Sequence, residues 1–302
     1  MPPVRASAGL ALPLASCAAG ILALAGCAGD RIVTRGPLPE DDASASAVVQ
    51  DTGLELRWWV VGDRYGAIAR TLAPYESNPI PADAEAVARW DRSGLRIVAV
   101  PLDKLTEVRD ALPRVGMTNL QWLGESPVWV EGVGGPSLDR SWTVVLDRET
   151  TELAPGQLSL LVRDWLVPRM TDEGAMASLR VEILPQHKSL SPIARRLDEA
   201  LQPGAPRFRT TSFEELRLTL DVTSSMALLI VPESPDVRWS DVPADAPSGD
   251  ERNPVFGPST PAYPTIGSAM LMSSPAQLGV SVNKAIVVLI PRIPERFELI
   301  RR

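Results

Sequence analysis

The sequence predicts an α+β protein, a small α/β module followed by a larger β-rich domain. Three observations predict it. Between residues 53 and 135, helical patterns alternate with strand patterns. From residue 140 to 302, nearly every patterned segment reads as a strand. The chain also carries 29 prolines in 302 residues, about twice the usual rate, which implies many turns and sheet edges.

In the module, Leu54–Val61 opens with apolar–polar alternation and reads as a strand. Asp83–Arg92 reads as a short helix, with Val87 and Trp90 on one face, Glu85 and Arg89 as an i,i+4 pair, and Gly94 at its end. Leu95–Val100 is a strand. Asp103–Leu112 is a second helix, capped by Asp103, with Leu105, Val108 and Leu112 on one face and Pro113 ending it. Asn119–Leu123 and Pro127–Val130 read as short strands around the turn Gly124-Glu125-Ser126. The glycine cluster Gly132-Val133-Gly134-Gly135 reads as a loop between the two halves, with no helix after it to bind phosphate.

In the second half, Ser141–Leu146, Gln157–Val167, Ser178–Leu184, Leu216–Val222, Ser225–Val231 and Lys284–Ile290 read as strands, and only Pro192–Leu201 reads as a helix. A Pro- and Asp-rich stretch at about residues 232–264 reads as a long exposed loop.

Residues 1–26 have the pattern of a signal peptide: one basic residue, Arg5, then a small and apolar stretch. Leu24-Ala25-Gly26-Cys27 resembles the lipobox of bacterial lipoproteins. That resemblance implies cleavage before Cys27 and lipidation of it, since the thiol is the good nucleophile there. Several acyl chains anchor stably where one does not, so the partner it implies is a membrane, reached through the N-terminal lipid. In that family Asp after the cysteine marks inner-membrane retention. Ala28-Gly29 follow here, which implies an outer-membrane, periplasm-facing location. Residues 27–52 then read as a flexible tether, rich in Gly, Pro, Ser and Ala.

Charge and residue counts narrow the function. The net charge is −7, and becomes −8 once Arg5 is removed with the leader, so a nucleic-acid partner is not expected. The mature chain keeps one cysteine, too few for a disulfide or thiolate metal cluster. No metal or cofactor site is expected, and no catalytic residue is nominated. His187 is the only histidine and reads as a turn residue after a strand. Ser281-Val282-Asn283-Lys284 has the S-x-x-K spacing of penicillin-recognising enzymes. That chemistry needs a helix, whereas AIVVLI after it is a strand, which points positions three apart to opposite faces. Of the eight tryptophans, Trp58 and Trp59 are adjacent on a strand and so face opposite ways, and the outward one is a candidate interface or ligand contact.

Residues 177–294 resemble the C-terminal core of secretins, the ring-forming outer-membrane channels. Ala177–Ser189 is similar to an apolar alternating strand that ends in a Pro-containing turn. Arg207–Glu233 is similar to their hairpin of a polar strand and an apolar strand. Pro264-Thr265-Ile266-Gly267 is similar to their gate segment, and Ala285–Ile293 to their last core strand. The glycines that usually close the apolar strand are replaced by Val231-Pro232-Glu233, and the second Pro and Gly of the gate segment are absent. The resemblance implies a structural or assembly lipoprotein of the cell envelope, with a homo-oligomer or an envelope protein as partner. The alternative is a monomeric binding protein for a glycan or a small envelope ligand.

Overall fold

The computed structural model describes residues 52–63, 66–115, 118–171, 174–190, 208–242, 263–271 and 283–294. Five strands form the first sheet: β1 (Gly53–Gly62), β2 (Leu95–Pro101), β3 (Asn119–Gly124), β11 (Met226–Pro232) and β12 (Asn283–Arg292), in the order β2-β11-β12-β1-β3. Every neighbouring pair in it is antiparallel. The second sheet runs β10-β8-β7-β4, from β4 (Val130–Leu138), β7 (Gly156–Thr171), β8 (Gly174–Leu190) and β10 (Leu218–Val222), with β9 (Phe208–Ser212) also on β8. A hairpin of β5 (Trp142–Leu146) and β6 (Glu149–Leu153) stands apart from both. The fold is β-rich, and its sheets are mostly antiparallel.

β11 and β12 of the first sheet read as nearly unbroken apolar runs because both their faces are covered. Leu54, Leu56, Ile97, Leu228, Ile230, Val287 and Leu289 point to one face. There they meet Leu158, Leu160, Val162, Leu179, Val181, Ile183, Leu218 and Leu220 of the second sheet. The residues between them, Trp59, Val61, Val98, Val100, Leu229, Val231, Ile286 and Val288, point to the other face. They are covered by α1 (Ala67–Leu72) and α3 (Leu105–Ala111), through Ile68, Leu72, Leu105 and Val108, and by Trp239.

The stretches 53–135 and 140–302 are interleaved. β1 pairs with β12, and β2 pairs with β11, so strands of the first stretch share a sheet with strands of the second. Residues Val49–Arg302 form one compact unit. The helices described are short and lie against the sheets, with no separate α/β layer of their own.

α2 (Ala84–Arg92) closes one side of the sandwich. Asp83 caps it, accepting from the Ala86 N–H at 2.9 Å, and Trp90 is fully buried, its Nε1 donating to the Leu216 carbonyl at 2.6 Å. The expected Glu85–Arg89 pair does not form. Glu85 pairs with Arg92 one turn further on, and Arg89 turns to Asp147 and the Glu215 carbonyl. Asp103 does not cap α3 either. A 3-10 turn at Leu102–Lys104 precedes the helix, and its N-cap, Lys104, makes no side-chain cap bond.

Gly94 ends α2 with φ +79°. A Cβ there would lie 2.0 Å from Thr265 Oγ1, and one on Gly267 would lie 2.1 Å from the Gly94 carbonyl oxygen. This contact seats α4 (Ile266–Met270), capped by Thr265 and buried against the core.

Gly132–Gly135 are not a loop. They lie inside β4, which pairs with β7 through two register shifts, at Glu131/Val133 and Gly134/Ser137. The glycines serve close packing there, since a Cβ on Gly135 would sit 2.5 Å from the Met270 carbonyl oxygen. The strand expected at Pro127–Val130 starts only at Val130. The expected helix Pro192–Leu201 lies outside the described residues, as does most of the 232–264 stretch; its first part forms a 3-10 turn at Trp239–Asp241.

Candidate functional site

Residues 1–51, which include Cys27 and the stretches read from the sequence as a leader and a tether, lie outside the described residues. Trp58 and Trp59 do face opposite ways on β1, yet neither is the outward aromatic that the sequence pattern left open. Trp59 is 1% exposed beneath α1 and α3, and Trp58 is half-buried against the core between the sheets.

His187 is not in a turn. It lies inside β8, opposite Leu158 and Thr211, and is 4% exposed. Burial pushes its pKa below the ordinary histidine value, against the opposing pull of a hydrogen bond with the Ala154 backbone. Its Nε2 has no partner among the described residues.

Ser281 is outside the described residues, and Lys284 is in β12, a strand as the sequence predicts. Lys284 Nζ sits 2.5 Å from Asp63 and 3.5 Å from Glu233. Burial alone would lower its pKa, but the two carboxylates outweigh it and hold the ammonium charged. Glu233 also accepts from Trp239 Nε1 at 3.2 Å, and Arg96 lies 4.8 Å over that indole. The lysine ties the segment after β11 to the sheet.

Among the described residues, no three His, Cys, Asp or Glu side chains are grouped to hold a metal, and no helix is long and apolar enough to cross a membrane.

Three features were not nominated from the sequence. The first is β3, an edge of the first sheet with no strand on its far side among the described residues. It pairs only with β1, Leu120 opposite Arg57 and Trp122 opposite Glu55. Leu120 is 61% exposed and Trp122 42%. Beside them Glu55 is held by Arg57 and Arg292, and these guanidinium groups keep its carboxyl below the usual range in spite of its burial. β3 itself, Asn119-Leu120-Gln121-Trp122-Leu123-Gly124, carries no charge and no proline to discourage another strand.

The second feature is on the outer face of the second sheet. Arg163 of β7 lies 4.6 Å over the Trp129 ring and 5.4 Å over Trp165, and Arg217 lies 5.8 Å over Trp129. Glu182, opposite Arg163 on β8, accepts from its Nε at 2.7 Å. Alongside is an open groove of about 760 Å³ whose lining includes Asp83, Arg169, Arg180, Arg217, Thr219 and Asp221. Arg180 and Asp221 pair there at 2.7 and 2.9 Å. A face of this kind offers indole surface and paired charges to a polar, ring-shaped ligand. The strand reading of Gln157–Val167 already put Arg163 and Trp165 on one face, but Trp129 and Arg217 come from other segments.

The third feature is Asp164, on the inner side of β7 and 0% exposed. Its Oδ1 accepts from the Ser126 N–H at 3.4 Å, and its Oδ2 has no partner among the described residues. Burial pushes its pKa up to about 7. The Asp164 N–H donates to the Ser126 carbonyl at 2.7 Å, and the Leu166 N–H to Glu125 Oε1 at 3.0 Å. These bonds pin the chain where it leaves β3 and crosses to the second sheet.

The segments that resemble secretins are arranged differently from that family's pattern. β10 and β11 do not form a hairpin; the chain crosses after Val222, leaving β10 in the second sheet and β11 in the first. Pro264–Gly267 leads into the buried α4. No protein-family model, no curated protein and no solved structure matches the chain.

Proposed function

We propose that this chain is a lipid-anchored protein of the cell envelope with a structural or assembly role, held at the outer membrane through Cys27 and working through protein contact rather than catalysis. The observation that supports it is β3, an uncharged strand with Leu120 and Trp122 exposed and no partner on its far side among the described residues, since added strands gain main-chain hydrogen bonds along such an edge. The secretin ring is not carried forward, because the strands that resemble its hairpin part into different sheets.

Two measurements on one preparation test this. Cys27→Ser should release the protein from membranes on fractionation; unchanged membrane binding sinks the anchor. Light scattering of the full chain in mild detergent should give a particle larger than one copy or a complex with an envelope protein. A clean monomer without a partner counts against assembly.

A second reading has its own support, the Trp129–Arg163–Trp165 stack beside its groove. On this reading the protein is a monomeric binder of a glycan or a small envelope ligand. Tryptophan fluorescence titrated with soluble cell-wall oligosaccharides should then respond, and the response should vanish in Trp129→Ala. No response in the parent protein removes this reading.

A further inference from the structure

We infer that the groove on the outer face of the second sheet binds a saccharide that carries a carboxylate; the inference rests on the second reading above, the binder of a glycan or small envelope ligand, and names the class of its ligand. The sheet register brings the parts together. Trp165 of β7 lies opposite Arg180 of β8, and Arg180 lies opposite Asp221 of β10, so one row across three strands holds an indole, a guanidinium and a carboxylate. The next row on that face holds Arg163, Glu182 and Thr219. Cross-strand partners share a face, and the residues between these rows, Asp164, Val181 and Leu220, are buried on the other.

The groove is rich in donors. Arg169, Arg180 and Arg217 line it, against the carboxylates Asp83 and Asp221. Both carboxylates are engaged. Asp221 accepts from Nε and Nη2 of Arg180, at 2.7 and 2.9 Å, and Asp83 accepts from the Ala86 N–H as the cap of α2. A guanidinium carries several N–H donors and no acceptor. Arg217 gives one of its donors to Glu214, in an exposed pair. The guanidinium groups therefore outnumber the carboxylates of the groove and have donors beyond them. A ligand carboxylate matches the planar fork of an arginine and brings one negative charge to a surplus of one, whereas a phosphate monoester brings about two.

The remainder of the groove suits a sugar ring. Pro81, Ala82, Val167 and Pro168 give it apolar surface beside the hydroxyl of Thr219. A pyranose presents both C–H faces and hydroxyl groups to such a lining. Arg217 joins the groove to the Trp129 indole, 5.8 Å away, and Trp165 stands next to Arg180 in the register. The volume of about 760 Å³ is that of a small-molecule site.

Ligand-observed NMR titration of the full chain tests this with two pairs of sugars, D-glucuronate against D-glucose and N-acetylmuramate against N-acetylglucosamine. The acid of at least one pair should bind about tenfold tighter than its neutral counterpart, the effect of one charge-assisted hydrogen bond. Acetate and inorganic phosphate at the same concentration should not displace it. Arg169→Gln and Arg217→Gln should each remove most of the preference while unfolding in denaturant as the parent does, since both side chains are exposed. Equal binding of acid and neutral sugars overturns the carboxylate and leaves the binder reading standing. Displacement by acetate or phosphate overturns the saccharide. An unchanged preference in both arginine variants overturns the groove as its place. No binding of any of the four sugars overturns the inference, and the binder reading falls with it only if the cell-wall oligosaccharides also leave the tryptophan fluorescence unchanged.

Discussion

The two ends of the first sheet are finished in opposite ways. At one end β2 is closed off. The segment before α2 lies along it, Asn78 Nδ2 donates to the Ala99 carbonyl at 2.7 Å, and Trp90 of α2 seals the gap to the second sheet. At the other end β3 has no strand on its far side among the described residues, and its two large side chains, Leu120 and Trp122, are 61% and 42% exposed. Both edges belong to one sheet and one chain, so a general tolerance for open edges does not explain the second. An edge strand is a site for unwanted pairing, and this fold protects one edge with a helix and about twenty residues of chain. The other edge carries no such cover among the described residues.

Substitutions at the two ends should therefore differ in kind. The largest effect is expected at the closed end. Trp90→Ala empties a fully buried site and strands the Leu216 carbonyl, and should cost about 3–5 kcal/mol in denaturant unfolding. A loss under about 1 kcal/mol would mean that α2 is not what seals that side.

Next comes Asp164, which pins the crossover behind the open edge. Its folded pKa of about 7 lies above the ordinary aspartate value of 3.8, so between the two the folded state holds a proton that the unfolded state has released. Its contribution is therefore unfavourable, growing as pH rises from about 4 to 7 and complete above that, at most about 4 kcal/mol. Asp164→Asn should be more stable than the parent at pH 8, and the gain should disappear by pH 4. His187 acts in the opposite sense. Its folded pKa is lowered, so stability is lost as pH falls below about 6.5. The difference between Asp164→Asn and parent, rather than either curve, isolates the aspartate. A gain that does not change with pH would remove the protonation argument.

Asn78→Ala should cost about 1 kcal/mol, the worth of one side-chain hydrogen bond on the closed edge. The smallest stability effect belongs to Trp122→Ser on the β3 edge, within about 0.5 kcal/mol because the side chain is 42% exposed and belongs to neither buried cluster. That substitution should nevertheless reduce the larger particle seen in light scattering. A stability loss as large as that of Trp90→Ala would mean that Trp122 is part of the core.

The sequence made the strands legible where burial was double. LRIVAV, the MALLIV run and AIVVLI are apolar on both faces, and each is a strand in the structure. Strands without that signal were missed: ETTEL in β6 and FRTTS in β9 are polar and take their place from their partners β5 and β8. The short helices α1 and α4 were missed too, because six and five residues are too few to show a helical period. Pairing was not legible at all. Nothing local in Glu55 says that it will sit opposite Ile290. For the same reason the sequence could place Trp58 and Trp59 on opposite faces but not see that both faces would be covered, since α1, α3 and the second sheet arrive from elsewhere in the chain. The segment Asn119–Leu123 reads as a strand, but that it forms a sheet edge among the described residues depends on its partners, which no local pattern contains.

One consequence follows from the position of β12. It lies between β1 and β11, so the last described strand to be synthesised occupies the middle of the first sheet. Until residues 283–292 have emerged, β1 and β11 have no common neighbour, and the sheet is two fragments. A stop codon before Asn283 therefore removes the strand that joins β1 to β11. Whatever shelters the growing chain has to do so until residue 292 has been made.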